Sequence, residues 1–123
     1  MTRRIGRSRV LLALGCLVTA LSVQAAEHYK RLTAAEMQRL LVGHSIGDGA
    51  HWAYRFAADG GLELMDLGKT RPGRWRFVGG ELCLERSERG KAQSDCYELR
   101  QSGKSLRFLR DGVPVLEGML LDE

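Results

Sequence analysis

The apolar positions of this chain follow three successive periods. Val10 to Val23 is a nearly unbroken apolar run. Ala34, Met37, Leu40 and Leu41 then recur at the 3.6-residue spacing of one helical face. From Ala50 onward the period drops to two, beginning with Trp52, Tyr54 and Phe56 alternating against His51, Ala53 and Arg55, the mark of a half-buried strand.

The helical stretch carries its own start signal. Thr33 can cap the free amides, Glu36 three residues later can close a capping box, and Leu32 and Met37 can pack as a hydrophobic staple. The spacing predicts a helix over residues 34–42, ended by Gly43. With one apolar face it must lie against another element.

The alternating part is cut by turn residues. Asp59-Gly60-Gly61, Arg71-Pro72-Gly73, Gly79-Gly80, Ser102-Gly103 and Asp111-Gly112 read as turns, and residues 87–94 as a longer polar loop. This predicts seven strands, over residues 50–56, 62–67, 74–78, 81–86, 96–101, 105–110 and 113–121. The fold class is mainly β: a seven-stranded antiparallel meander that curls, partly or fully, into a small barrel, with the helix plugging one end or covering an open edge. The turns place Trp75 opposite Leu84, Phe77 opposite Leu82, Leu82 opposite Tyr97, Tyr97 opposite Phe108, Leu99 opposite Leu106 and Phe108 opposite Val115, all on one face. The other face collects Arg74 opposite Glu85, Arg76 opposite Cys83 and Glu98 opposite Arg107. Glu81 opposite Glu98 is a like-charge pair for Arg76 or Arg100 to offset. Pro114 cannot donate to a ladder, so its strand is expected at an edge or with a bulge.

Charge changes the reading of the N-terminus. The formal net charge is +4, but Arg3, Arg4, Arg7 and Arg9 fall in the first 25 residues, which hold no Asp or Glu. With those four set aside, 15 basic residues equal the 15 acidic ones, and a nucleic-acid partner is not expected. An arginine-rich start, a short apolar run and Val23-Gln24-Ala25 before Ala26 predict a secretory signal peptide over residues 1–25. Two variants bear on the route. Arg3-Arg4 suggests twin-arginine export, although Gly6 stands where a bulky residue is expected; Cys16 suggests lipidation, although the apolar run continues past it. The expected location is periplasmic or secreted, with no transmembrane segment in the mature chain. Residues 26–49 then form an N-terminal segment, helix and Gly-rich connector, in one domain with the meander of residues 50–123.

Cys83 and Cys96 remain once the leader is removed. An even count in a small exported chain predicts a disulfide, worth about 3 kcal/mol for a loop of this length. It is expected on the more polar face, as a staple rather than a core element.

Candidate chemistry is sparse. His44, Asp48 and His51 in the connector are weak candidates for a metal site, because their spacing is not a recurrent ligand pattern. No phosphate-binding loop or nucleophile motif is present, and no cofactor or catalytic residue is expected. Arg71, Arg74 and Arg76 form the basic cluster of the mature chain, a candidate contact for an anion or a partner such as an envelope protein or an anionic surface.

The order of helix, Gly-rich connector, aromatic strand, Asp-Gly turn, Gly73-Arg74-Trp75, Leu82-Cys83-Leu84, Cys96-Tyr97 and Asp111-Gly112 resembles a family of small secreted proteobacterial proteins to which no activity is assigned. That resemblance implies a shared fold over most of the mature chain. A looser likeness, through a short N-terminal segment, Gly-x-Trp and one disulfide, is to exported barrel inhibitors of bacterial metalloproteases. Here, though, Trp75 falls in the third predicted strand and the cysteines staple a late hairpin. Lipocalin-like folds share Gly-x-Trp too, but their ligand cavity needs a longer chain. The leading expectation is an exported, non-enzymatic binding module. The alternatives are an inhibitor of a secreted hydrolase acting through residues 26–32, and a carrier of a small apolar ligand inside the barrel.

Overall fold

Each alternating run becomes a stave of a closed ring. The computed structural model describes residues 28–122 together with Gly15; otherwise the expected signal peptide lies outside the described residues. The elements are β1 (Lys30–Arg31), α1 (Ala34–Leu41), β2 (Ser45–Gly47), β3 (Trp52–Phe56), β4 (Gly61–Asp66), β5 (Lys69–Val78), β6 (Glu81–Glu88), β7 (Lys91–Ser102), β8 (Ser105–Arg110) and β9 (Val113–Leu121). Strands β2 to β9 pair in sequence order, all antiparallel, and β2 pairs β9 to close an eight-stranded barrel. Strand β1 adds outside the ring, against the end of β7.

The barrel therefore has one more stave than the expected seven, and it is closed. The added stave, β2, lies in the Gly-rich connector, where three residues are too few to show an alternation. Its Ile46 is fully buried. A β-carbon on Gly47 would run into the Trp52 carbonyl oxygen, so glycine lets β2 and β3 close up.

Two expected connections are strand instead. Arg71-Pro72-Gly73 lies inside β5, with Pro72 opposite Glu63 and Gly73 between Leu62 and Arg86. The turn is Leu67-Gly68, both residues at positive φ (48° and 80°), as a two-residue type I′ turn requires. Residues 87–94 extend the β6–β7 hairpin to an Arg89-Gly90 turn.

Elsewhere the pairing follows the turns. Gly79-Gly80 sets Phe77 opposite Leu82 and Trp75 opposite Leu84, and Cys83 stands opposite Cys96. Between β7 and β8 the turn is Gly103-Lys104, not Ser102-Gly103. A type II′ turn wants its left-handed residue first, and Gly103 has φ 58°. The slip moves the pairing by two, so Leu99 faces Phe108 and Gln101 faces Leu106, while every side chain keeps its face. Glu98 consequently meets Leu109, and Arg100 meets Arg107. A bulge between Phe108 and Leu109 sets Phe108 opposite Leu116 and Leu109 opposite Pro114. Val115, expected inside, is half exposed there, and Pro114 has its bulge without being at an edge.

Helix α1 starts as its residues imply. The Thr33 hydroxyl accepts from the Glu36 amide at 3.2 Å, and the Glu36 carboxylate accepts from the Thr33 amide at 3.3 Å. These bonds to Thr33 hold the Glu36 carboxyl below its usual pKa. Because the ring leaves no edge to cover, the helix closes one end: Met37 and Leu41 are fully buried in one cluster with Phe56, Trp75, Leu82 and Leu99. The Gly43 amide donates to the Phe56 carbonyl at 2.8 Å, the Leu32 amide to Leu99 at 2.9 Å, and the Trp75 indole to Ala57 at 2.8 Å, tying that end shut.

The Cys83–Cys96 disulfide forms across β6 and β7. It lies on the face alternating with Leu82, Leu84 and Tyr97, yet Cys83 is fully buried, so it is less a surface staple than expected. Glu98, one residue beyond the Leu82–Tyr97 pair that begins the β6–β7 register, is held by Arg31 at 3.1 Å and Arg100 at 3.4 Å. Among the described residues, no helix is long and apolar enough to cross a membrane.

Candidate binding site at the barrel mouth

The barrel interior changes character along its axis. Near the helix it is apolar; at the far end the inward positions become polar. Cross-strand partners share a face, so Trp52 and Tyr54 on β3, Leu64 and Asp66 on β4, Arg71 on β5 and Arg86 on β6 all point into this mouth. With Met65 and Leu116 they line a cavity of about 230 Å³.

Arg86, on one wall, is tied to a polar network. The Asp95 carboxylate holds Arg86 at 3.5 Å and Arg110 at 3.2 Å. Arg110 also donates to the Tyr97 hydroxyl at 3.1 Å and lies 5.2 Å from its ring centroid. Arg86 pairs in addition with Glu88 at 3.3 Å. The opposing wall is aromatic. Trp52 and Tyr54 lie on the same face of β3 with centroids 4.9 Å apart, and Tyr54 meets Phe108 edge to face at 6.5 Å. Burial, and then the neighbouring Tyr97, push the Tyr54 phenol above its ordinary pKa, against the opposing pull of Arg86. Tyr54 thus stays a neutral hydroxyl donor at physiological pH.

The three candidate arginines separate. Arg71 lines the mouth, whereas Arg74 and Arg76 lie on the outer face of β5, opposite Glu85 and Cys83. The Glu85 carboxylate pairs with Arg76 at 3.2 Å, one ladder step from the expected Arg74. Arg74 and Glu85 border a shallow outer groove with Pro72 and Ala92.

Asp48 and His51 are brought together, but His44 does not join them. His44 precedes β2 and Asp48 follows it, which places them at opposite ends of that strand, ~13 Å apart along a four-residue extended path. Among the described residues no group of three or more His, Cys, Asp or Glu could hold a metal. Asp48 instead shapes the β2–β3 connection: its carboxylate accepts from the amides of Ala50, His51 and Trp52 at 2.9, 2.6 and 3.1 Å and meets the His51 Nδ1 at 2.9 Å. Those backbone donors, with His51, hold its carboxyl far below the usual carboxylate range.

The sequence reading missed the mouth, apart from Arg71. A signal was present: the Cys83–Cys96 pairing sets Leu84 opposite Asp95, and two steps further Arg86 shares that face. The polar composition of residues 87–94 hides the continuation of that register, which runs on to Glu88 opposite Lys91. No protein-family model matches this chain, and no curated protein or solved structure shows significant similarity to it.

Proposed function

We propose that this protein is an exported, non-enzymatic binding module that takes its partner at the barrel mouth. The observation that carries the reading is the asymmetry of the interior. One end is filled by Met37, Leu41 and Phe56, while the other leaves aromatic rings and guanidinium groups around an open cavity. A few polar groups converging in a concave site with aromatic walls are what small binding sites use. Export is supported by the signal-peptide pattern of residues 1–25 and by the disulfide, which suits an oxidising compartment.

The alternatives have less in their favour. A carrier of apolar ligands needs an apolar cavity above about 300 Å³, and the mouth is smaller and charged. An inhibitor acting through residues 26–32 needs that segment free. Lys30 and Arg31 pair with β7, Leu32 is buried, and Tyr29 stacks on Arg107 at 3.8 Å.

The test is comparative capture. Immobilised mature protein and its Trp52→Ala/Arg71→Gln variant are exposed to an envelope extract, and the eluates are compared by mass spectrometry for small molecules and proteins. A component retained by the wild type and lost by the variant supports the reading. Identical eluates contradict it.

A further inference from the structure

Most charged groups at the mouth are already used by one another. Arg86 and Arg110 share Asp95, and Glu88 pairs with Arg86. Arg71 is different. It lines the cavity, and among the described residues it has neither a hydrogen-bond nor an ion-pair partner. Asp66 also lines the cavity and, among the described residues, has no ion-pair partner; Lys69 is the cation placed opposite it in the β4–β5 ladder. A guanidinium with no ion-pair partner among the described residues therefore faces a small pocket walled by Trp52, Tyr54, Leu64, Met65 and Leu116, together with Asp66 and the Asp95-paired Arg86.

Resting on the mouth reading above, we infer that the cavity binds a small monocarboxylate with an aromatic or compact apolar body, its carboxylate on Arg71 and its body against Trp52 and Tyr54. A guanidinium presents two parallel N–H donors that match a carboxylate. The neutral Tyr54 hydroxyl, if turned to the same group, adds a donor without adding charge. At about 230 Å³ the cavity lies below the ~300–1,000 Å³ of drug-sized sites, which favours a single ring over a lipid chain. The fixed Asp95 carboxylate behind Arg86 disfavours a dianion. A free acid and the C-terminus of a peptide ending in an aromatic residue offer this same chemistry.

The experiment is titration of the mature protein with 3-phenylpropionate, by calorimetry and by tryptophan fluorescence, with 3-phenylpropionamide as the uncharged control. The expected result is saturable one-to-one binding of the acid, at least tenfold weaker for the amide and at least tenfold weaker in Arg71→Gln, with Arg74→Gln on the outer face unchanged. Near-UV circular dichroism establishes that each variant is folded. Ala-Ala-Phe with a free or an amidated C-terminus separates the sources: tighter binding of the free peptide than of 3-phenylpropionate assigns the site to chain termini, and the reverse assigns it to free acids. Equal affinity for acid and amide, unchanged affinity in Arg71→Gln, or no saturable binding of either carboxylate overturns the inference. If the carboxylates fail while capture still separates wild type from Trp52→Ala/Arg71→Gln, the ligand class falls and the mouth reading stands.

Discussion

Arg71 and Arg74, three residues apart on β5, face opposite sides of the barrel wall: Arg71 looks into the mouth, while Arg74 lies outside, opposite Glu85. A turn at residues 71–73 would have let the basic residues gather; a continuous strand alternates them. Their substitutions should therefore behave differently. Arg74→Gln/Arg76→Gln removes the exposed Arg76–Glu85 pair and should change stability by no more than about 1 kcal/mol in urea unfolding. A loss above about 3 kcal/mol would mean that these side chains are buried and the strand register is wrong.

The disulfide closes a short loop across two adjacent strands, so its removal should cost stability without changing the topology. Cys83→Ala/Cys96→Ala should lose about 2–4 kcal/mol in equilibrium unfolding. The unreduced wild type should take up no thiol reagent at either position. Quantitative labelling of both cysteines in the folded protein would refute the bridge.

The helix matters as a plug. Met37→Ala removes a fully buried side chain from the cluster around Phe56 and should destabilise by about 2–5 kcal/mol. Thr33→Ala removes only the cap and should cost about 1 kcal/mol. If Met37→Ala costs no more than Thr33→Ala, the helix does not fill the barrel end.

Asp48 predicts a pH dependence with a definite sign. Its carboxyl is held far below the value it has in the unfolded chain, near 4, by backbone amides and by His51. The stability it contributes is present above about pH 4 and is lost as the pH falls toward its folded value. Asp48→Asn should therefore be less stable than wild type at pH 7, and the gap should narrow in urea unfolding at about pH 2.5. A gap of constant size across that range would show that the charge on Asp48 plays no part.

Legibility in the sequence followed how local each signal was. Thr33 and Glu36 announce the helix within four residues, and Gly79-Gly80 fixes its hairpin by itself. The Leu67-Gly68 and Arg89-Gly90 turns were hidden because their first residues are not turn formers. Leu67 and Arg89 take positive φ, a conformation costly for L-residues, where pairing along both flanking strands demands it. Strand β2 was hidden because its burial depends on β9, more than 70 residues away in the chain. The mouth drew its lining from five strands, so no short motif contained it. Arg71 stands out by its charge, and Trp52 and Tyr54 by their alternation, but nothing local joins them to Arg86 or Leu116.

The most direct measurement is amide chemical-shift mapping of the isotope-labelled mature protein with the component retained from envelope extract. Binding at the mouth predicts perturbations concentrated at Trp52, Tyr54, Arg71, Arg86 and Leu116, including the Trp52 indole, with the buried Trp75 indole unmoved. Perturbations confined to Tyr29–Leu32, or to the outer groove of Pro72, Glu85 and Ala92, would contradict the account.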